Sequence, residues 1–385
     1  MRVVLVNRWH AADEPGPQIE ADPLRRELAQ GLAARGHEVH VVQELPVAAR
    51  VEDGPVCWHF VPPARITRAA RAALTFAGRD DAATKVSAPH LASATASLRA
   101  DIVHSFDLAS YSLVAALGRD TRRRGAALIA HFHGGAPARL AALRTTERAA
   151  FANVSRFFFT TRQHAVPWRK TGALVDDPRV TEVYETSSTF CPGDRAEARA
   201  RTGLRGAPAL LHLGRLDAVK DPLTTLAAFR SILPTHPKAH LTFAWTAGSM
   251  EAEVRAAAAD LPVTFLGRVS SETTESLLRA ADVFVQASTR EVCGQAALEA
   301  FATGTPSVLS DIPSFRRMTE QGTLGHLFPV GDATAMASAL VAVRDTDSRA
   351  AVRRHFDSAL SFDALADVVS GVYAELTPNG RLVRP

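Results

Sequence analysis

The sequence predicts an α/β protein in which two doubly wound parallel sheets carry helices on both faces. Short β-branched runs alternate with Ala-, Arg- and Leu-rich stretches of helical period along nearly the whole chain. The chain has 385 residues, which is more than one ordinary domain usually contains. Twelve candidate strands are also too many for a single open sheet of this kind. We therefore expect two Rossmann-like domains.

The candidate strands are the buried-looking β-branched runs, taken in chain order. In the first domain they are Val3–Val6, Val39–Val42, Val56–Val61, Ile102–His104, Ala127–His131 and Phe157–Thr160. In the second domain they are Ala209–Leu213, Leu241–Trp245, Val263–Leu266, Val283–Gln286, Ser307–Leu309 and His326–Phe328. We expect the domains at residues 1–191 and 192–347, with the break at Cys191-Pro192-Gly193-Asp194. Helices at 348–385 are expected to pack back on the first domain.

Composition excludes several classes of protein. Hydrophobic residues make up 46% of the chain and charged residues 22%, close to globular averages, so disordered and fibrous classes are excluded. No apolar run reaches the roughly 20 residues that span a bilayer, and the N-terminal run is too short for a signal peptide, so we expect a cytoplasmic protein. The cysteines at 57, 191 and 293 are too widely spaced to indicate a disulfide framework or a Cys-based zinc site.

The basic residues do not indicate a nucleic-acid site. The net charge is only +4, and the arginines are scattered along the chain rather than clustered in a stripe. Asp345-Thr-Asp347 has the spacing of a metal-binding pair, but it follows a predicted helix and precedes another, so we interpret it as a solvated connector. We expect no nucleic-acid partner and no catalytic metal.

The segment from Glu291 to Glu299 carries the strongest functional signal. It follows the predicted strand Val283–Gln286, and a helix begins near Gly294. Glycine lets the backbone approach a ligand closely, and the free N–H groups of a helix start favour an anion. Glu299 lies about 12 Å beyond Glu291 along a helix. The pattern predicts an extended ligand with phosphates at the helix start and hydroxyl groups at the two carboxylates, whereas the alternative is an ordinary capped helix.

A second signal follows the predicted strand Ala209–Leu213. Gly214 allows a tight turn there, and Arg215 and Lys220 place two cations at the carboxyl end of the strand. Arginine forks onto phosphate oxygens and lysine adds a point charge. Lys220 is one of only four lysines among 44 basic residues, which favours a function over a solvated surface position.

Together these two motifs resemble the retaining glycosyltransferases of family four, which have the GT-B fold of two Rossmann-like domains facing across a cleft. The E-x7-E motif of that family corresponds to Glu291 and Glu299. Its Gly-Arg…Lys motif corresponds to Gly214, Arg215 and Lys220. In the first domain, His131-Phe-His133-Gly134 is also similar to a family pattern.

The resemblance implies a metal-independent enzyme that transfers a sugar with retention from a nucleoside-diphosphate donor, most simply a UDP-sugar. Arg215 and Lys220 would neutralise the departing diphosphate, and Glu299 would accept hydrogen bonds from the ribose. Glu291 would hold the donor sugar, and His133 would lie near the reacting carbon. The further donor contacts that the resemblance implies are Gly16, Gly214, Val269, Val292, Cys293 and Gly294.

The acceptor is open to several interpretations. Acidic residues gather between the first strand and the first helix, and Glu20 and Asp22 would suit a small cationic acceptor such as an aminocyclitol or aminoglycoside in antibiotic biosynthesis. A basic stretch at 65–79 would instead suit a peripheral membrane enzyme with a lipid-linked acceptor. A sugar synthase or phosphorylase of the same fold, and a binder of nucleotide sugars without catalysis, also remain. The sequence leaves the oligomeric state open.

Overall fold

The computed structural model describes residues 1–8, 23–45, 47–62, 88–137, 141–174, 177–343 and 345–376. The chain forms two compact units. The first contains residues 1–185 and the segment that begins at Leu365, and the second contains Thr186–Ala364. Each unit is built on a mainly parallel sheet with helices between the strands, so the predicted α/β class with two doubly wound domains is confirmed.

The sheet of the first unit has eight strands in the part of the chain that the structure describes, in the order β3-β4-β2-β1-β5-β6-β7-β8. The edge strand β3 runs antiparallel to β4, and the other pairs are parallel. Its strands are β1 (Arg2–Asn7), β2 (Glu38–Glu44), β3 (Ala49–Asp53), β4 (Val56–Val61), β5 (Ile102–Ser105), β6 (Ala127–His131), β7 (Arg156–Phe159) and β8 (Val180–Glu182).

Helices connect the parallel strands of this sheet, as crossover connections require, except that the antiparallel strand β3 lies between β2 and β4 in the chain. Because helices cover the faces of such a sheet, its central strands are apolar throughout; Val3–Val6 of β1 and Ala127–Ile129 of β6 are fully buried. Among the described residues, the helices that precede the second unit are α1 (Pro23–Ala34), α2 (Ala88–Ser97), α3 (Tyr111–Arg124), α4 (Ala141–Phe151) and α5 (Val166–Lys170).

The sheet of the second unit has the order β11-β10-β9-β12-β13-β14, with all neighbouring strands parallel. Numbered within the unit, this is the 3-2-1-4-5-6 order of a dinucleotide-binding fold, and the order reverses between β9 and β12. Ligands of open α/β sheets bind at the carboxyl ends of the strands at such a switch point. The strands are β9 (Ala209–Leu213), β10 (His240–Ala244), β11 (Val263–Gly267), β12 (Val283–Gln286), β13 (Ser307–Ser310) and β14 (His326–Phe328).

The helices of the second unit pack aromatic and aliphatic side chains against this sheet; Phe229 and Phe243 are fully buried in the cluster that forms its core. The helices are α6 (Arg195–Thr202), α7 (Pro222–Ile232), α8 (Glu251–Ala257), α9 (Ser271–Ala280), α10 (Gln295–Thr303), α11 (Pro313–Met318), α12 (Ala333–Ala342) and α13 (Asp345–His355). The last helix in the described part of the chain, α14 (Phe362–Leu376), continues into the first unit.

All twelve predicted strands are present, with ends that differ by at most two residues. Two further strands among the described residues were not predicted. In β3, half-buried and exposed residues alternate, and β8 has only three residues, so neither contains an apolar run. The interpretation of Asp345-Thr-Asp347 as a connector is wrong, because α13 begins at Asp345.

The two units divide at Glu185/Thr186 and at Ala364/Leu365, which differs from the predicted boundaries after 191 and after 347. Hydrogen bonds explain the difference. Ser187 Oγ donates to the carbonyl oxygen of Leu360 at 2.5 Å, and Arg353 Nη1 donates to the carbonyl oxygen of Phe190 at 3.2 Å. Residues 186–191 and residues 348–364 therefore belong to the second unit.

Helix α14 is bound to the first unit by polar contacts as well as by its apolar face. The Tyr373 hydroxyl lies 2.8 Å from His104 Nδ1, and both side chains are fully buried. Ser370 Oγ lies 2.8 Å from His37 Nε2, and Arg35 Nε donates to Asp367 at 2.7 Å. The first unit thus contains residues that are far apart in the chain.

Replacing Tyr373 with Phe should lower the free energy of unfolding of the first unit by about 1–3 kcal/mol, because a buried hydrogen bond is lost and His104 keeps its polar atom. Urea unfolding followed by fluorescence of the buried Trp58 and Trp168 would measure it. The control is Val368→Ala on the exposed side of the same helix, which should change stability by less than about 0.5 kcal/mol. Equal effects of the two changes would contradict this account.

Candidate active site

Two loops meet at the switch point of the second sheet. One connects β9 to α7, and the other connects β12 to α10. The backbone N–H of Thr289 in the second loop donates to the carbonyl oxygen of Val219 in the first loop at 2.8 Å. Because β9 and β12 are neighbours in the sheet, the two sequence motifs that lie about 75 residues apart in the chain come together here.

An ion pair between Lys220 and Glu291 lies at the centre of these loops. Lys220 Nζ is 2.6 Å from Glu291 Oε1, and both side chains are largely buried. The same carboxylate oxygen accepts hydrogen bonds from Gln286 Nε2 at 3.0 Å and Ser288 Oγ at 2.7 Å. Ser314 Oγ donates to the backbone carbonyl of Glu291 at 3.1 Å. Charge-assisted hydrogen bonds of this kind fix the Glu291 carboxylate and the lysine in one geometry.

Gly214 and Asp217 set the path of the loop that carries Lys220. Gly214 has φ 141°, and a Cβ there would lie 3.3 Å from Lys220 Cε, so the lysine stem packs directly against the glycine backbone. Asp217 Oδ1 accepts the backbone N–H groups of Val219 and Lys220, each at 3.0 Å. The hydrogen bonds to Asp217, and not burial alone, therefore fix the position of Lys220.

Arg215 stands at the same strand end but in a different environment. Its side chain is more than half exposed, and its Nε lies 2.7 Å from Asp217 Oδ2. Asp217 thus organises the loop backbone with one carboxylate oxygen and holds the guanidinium with the other. An exposed guanidinium keeps donors available for phosphate oxygens.

Helix α10 begins at this site. Gly294 is its N-cap, with φ 88° and no side-chain cap, and a Cβ there would lie 2.5 Å from Phe315 Cε1. Only glycine fits that position without displacing Phe315. The first turn of a helix has N–H groups without intrahelical acceptors, which favour an anion. Val292 is half-buried and Cys293 is buried just before this helix start.

Glu299 lies one turn further along α10. Gln295 Nε2 donates to Glu299 Oε1 at 3.1 Å and to the carbonyl oxygen of Ser187 at 3.0 Å. Burial raises the pKa of Glu299 to about 7, although the hydrogen bond from Gln295 and the charge of Lys220 act in the opposite direction. The carboxyl group is therefore close to the middle of its titration at neutral pH.

The remaining predicted contact of the second unit is Val269. It is half-buried in the connection between β11 and α9, next to Ser270, whose hydroxyl caps α9 by accepting the N–H of Thr273 at 3.1 Å. Strand β11 is at the edge of the sheet, two strands from β9. The structure thus places Val269 at a different strand end from the Lys220–Glu291 pair.

His133 follows β6 in the first unit. Its Nδ1 lies 3.9 Å from Glu185 Oε2, and its ring packs edge-on against His131 with ring centres 4.7 Å apart. Burial lowers the pKa of His133 well below its usual value, and the neighbouring His131 and Arg25 lower it further. The imidazole is therefore neutral at pH 7 and has one N–H donor and one acceptor nitrogen.

Several predicted residues lie outside the described ranges. These are Gly16 among the donor contacts, Glu20 and Asp22 among the acceptor candidates, and the basic stretch at 65–79. Within the described ranges, no helix is both long and apolar enough to cross a membrane.

The sequence motifs did not include the residues that hold the site together. Asp217 had a local signal, because aspartate commonly bonds backbone N–H groups two and three residues ahead in a turn. Gln286 and Ser288 lie close before Glu291 in the chain, but no motif marked them as its hydrogen-bond partners. Ser314 had no local signal, since it reaches Glu291 from helix α11. Glu185 reaches His133 from a segment more than 50 residues further along the chain.

Curated relatives match about half of the chain. A phosphatidyl-myo-inositol mannosyltransferase of Mycobacterium leprae is 30% identical over 196 residues, which is 47% of this chain and 51% of that protein. A D-inositol 3-phosphate glycosyltransferase of Geodermatophilus obscurus is 34% identical over 215 residues, 51% of this chain and 48% of that protein. The chain thus spans about half the length of the curated relatives it matches.

Solved structures match nearly the whole chain. Sucrose-phosphate synthase from Thermosynechococcus elongatus has a TM-score of 0.71 at 19% identity, covering 98% of this chain and 99% of that one. An Anabaena protein in complex with UDP and glucose has a TM-score of 0.65 at 14% identity, covering 98% of this chain and 100% of that one. At these identities the likeness concerns the fold, and the fold is GT-B.

Two family models match the chain, one within each unit. Residues 26–184 match the model described as Glycosyltransferase Family 4, and residues 207–345 match the model described as Glycosyl transferases group 1. The chain belongs to the family-four glycosyltransferases, which confirms the resemblance seen in its two motifs.

The raised pKa of Glu299 predicts a pH-dependent stability. Between its ordinary pKa of 4.5 and its folded-state pKa of about 7, the native protein binds a proton that the unfolded chain has lost. Stability should therefore fall as the pH rises through this interval. The Glu299→Gln protein lacks this titration, so its stability relative to wild type should increase from pH 5 to pH 7.5.

Urea unfolding at several pH values would measure that difference. Glu253→Gln, at an exposed position on α8, serves as the control and should show no comparable pH-dependent gain. A Glu299→Gln difference that stays constant with pH would contradict the assignment of a protonated carboxyl group at this position.

Proposed function

We propose that the protein transfers a sugar from a nucleoside diphosphate, most simply UDP, to a hydroxyl group of a small cyclitol, with retention of the anomeric configuration and without a catalytic metal. The observation that carries the proposal is the Lys220–Glu291 pair at the switch point, beside the start of α10. The pair supplies a cation and a fixed carboxylate, and the start of α10 supplies backbone N–H groups, at the place where α/β sheets bind nucleotides.

The donor diphosphate fits between the loop after β9 and the start of α10. A lysine ammonium has three N–H donors, and Glu291 Oε1 accepts one of them, so the others are available to phosphate oxygens. Arg215 adds an exposed guanidinium, and the N-terminal N–H groups of α10 add backbone donors. Together these groups would stabilise the charge that builds on the diphosphate as it leaves.

Glu299 and Glu291 would hold the two ends of the donor. Glu299 accepts hydrogen bonds best as a carboxylate, so ribose hydroxyl donors would favour its ionised form and lower its raised pKa. Glu291, with the backbone at Val292, Cys293 and Gly294, would contact the sugar hydroxyls. Val269 would lie along the base, and Gly16 stays a candidate for a diphosphate contact.

The transfer needs no covalent intermediate on the protein. The acceptor oxygen bonds to the anomeric carbon, the bond from that carbon to the diphosphate oxygen breaks, and the diphosphate takes the acceptor proton. His133 is a neutral imidazole that would donate or accept a hydrogen bond near the reacting carbon without adding charge. Electrostatic stabilisation of the leaving group by Lys220 and Arg215 would be the main contribution of the protein.

The acceptor class is suggested by the relatives. Two relatives carry names that include an inositol ring, one free as its phosphate and one within a phospholipid. Both acceptors present a cyclitol hydroxyl, as an aminocyclitol also does. We therefore propose a soluble cyclitol as the acceptor, and leave Glu20 and Asp22 as candidates for contacts with an amino group.

Two alternatives remain. The phosphatidylinositol relative favours a lipid-linked acceptor, for which the basic stretch at 65–79 would supply membrane contact. The other alternative is a sugar synthase or phosphorylase of the same fold, which would use free phosphate or free glucose as its second substrate. Neither alternative changes the proposed roles of Lys220 and Glu291.

The donor site is tested by thermal shift and by turnover. We expect one nucleoside diphosphate, UDP in the first instance, to raise the Tm of the protein without added metal. Lys220→Ala should abolish the shift and lower kcat by about 10²-fold or more, because a leaving-group donor is lost. Lys238→Ala removes an exposed lysine of the same unit and should leave both unchanged. A full shift in the Lys220→Ala protein would refute the assignment.

The acceptor is tested with a radiolabelled donor and three acceptors offered in parallel. Inositol phosphate tests for a soluble acceptor, and an aminocyclitol tests for a cationic one. Phosphatidylinositol vesicles test for a lipid-linked acceptor. We expect product with a soluble cyclitol and none that pellets with vesicles. Product found only in the vesicle fraction would replace the proposal with the lipid-linked alternative.

A further inference from the structure

Three metal-ligating side chains meet at one edge of the first sheet. His40 lies on β2, and Cys57 and His59 lie on β4. In the parallel pairing of these strands, His40 is opposite Cys57, and His59 is two residues further along β4. Since side chains two residues apart point to the same face of a sheet, all three share one face. Their spacing in the sequence gave no sign of this cluster.

The distances within the cluster suit a tetrahedral ion. His40 Nδ1 lies 3.1 Å from His59 Nε2, and Cys57 Sγ lies 3.3 Å from the same nitrogen. All three ligand atoms lie within 4.8 Å of one another. With Zn–N bonds of about 2.0–2.1 Å and Zn–S bonds of about 2.3 Å, the edges of a zinc tetrahedron are roughly 3.3–3.6 Å. Small side-chain shifts would therefore bring the three atoms to a common ion.

The surroundings orient the ligand atoms. Glu38 Oε1 lies 3.3 Å from His40 Nε2, which places the proton of that ring on Nε2 and leaves the Nδ1 lone pair towards His59. A carboxylate behind a ligating histidine is a common support of zinc sites. Arg50 Nε donates to Cys57 Sγ at 3.1 Å, as a stabiliser of a thiolate would.

We propose that His40 Nδ1, Cys57 Sγ and His59 Nε2 bind one Zn²⁺ ion, with water as the fourth ligand. Zinc forms its bond to sulfur as the Cys57 thiol releases its proton to solvent, and the His59 ring takes the tautomer with its proton on Nδ1, which leaves the Nε2 lone pair for the ion. One thiolate and two imidazoles are a set that zinc accepts and that hard ions such as Mg²⁺ do not. The ion joins β2 to β4 beside the edge strand β3, in a different unit from the Lys220–Glu291 pair.

Access and burial are consistent with this role. Cys57 is buried, whereas Glu38 at the rim is more than half exposed, so the ion has an entry path from solvent. An ion must displace the proton of the buried Cys57 thiol in order to bind its sulfur. The ion would act as a structural clip on the sheet edge.

The test uses the full chain after removal of metal by a chelator. Co²⁺ serves as the probe, because a cobalt–thiolate bond gives a sulfur-to-metal charge-transfer absorption. We expect saturation at one equivalent, loss of the band when Zn²⁺ is added, and a Zn²⁺-dependent rise in Tm. Cys57→Ser should abolish the band. The matched control is Cys191→Ser, which removes an exposed thiol outside the cluster and should leave the band intact.

Two further variants keep the test decisive if Cys57→Ser fails to fold. Glu38→Gln, at the exposed rim, should weaken Zn²⁺ binding by about tenfold or more through loss of the histidine support. His59→Gln should weaken it further. Absence of the band in the folded wild-type protein, or a band that persists in Cys57→Ser and disappears in Cys191→Ser, would overturn the proposal and leave the cluster as hydrogen bonds only.

Discussion

The ion pair between Lys220 and Glu291 joins the loop after β9 to the loop after β12, and the neighbouring elements of the second unit support it. A charged pair that is largely removed from water needs further hydrogen bonds to offset its desolvation. Gln286 and Ser288 provide them from the end of β12, and the loop after β9 delivers the lysine. The strand order 3-2-1-4-5-6 is what makes β9 and β12 neighbours. The topology of the sheet, rather than sequence proximity, therefore creates the charged centre.

Much of this could be predicted, because the physical signal of a buried parallel strand is local. Twelve strands are visible as β-branched runs, whereas β3 and β8 lie at sheet edges and carry no such run. The unit boundaries could not be read from composition. They depend on hydrogen bonds such as that from Ser187 to Leu360, which join positions 173 residues apart.

The site shows the same division between local and non-local signals. Gly214, Lys220, Glu291 and Gly294 belong to short motifs whose spacing already reflects loops at strand ends. Other contacts depend on elements distant in the chain. Ser314 reaches Glu291 from helix α11, and the His40–Cys57–His59 cluster exists only because β2 pairs with β4 in one particular register. Spacing along the chain indicated no Cys-based zinc site, because these three side chains come together only across paired strands.

Helix α14 has a consequence for how the protein is made. The ribosome produces the strands of the first sheet, then the whole second unit, and only afterwards the helix that contains Tyr373. Domains generally fold as units during synthesis. The second unit can therefore reach its native state first, while the first unit still lacks the helix that buries Leu365, Val369 and Val372. The unit whose strands are translated first can thus be the last to be completed.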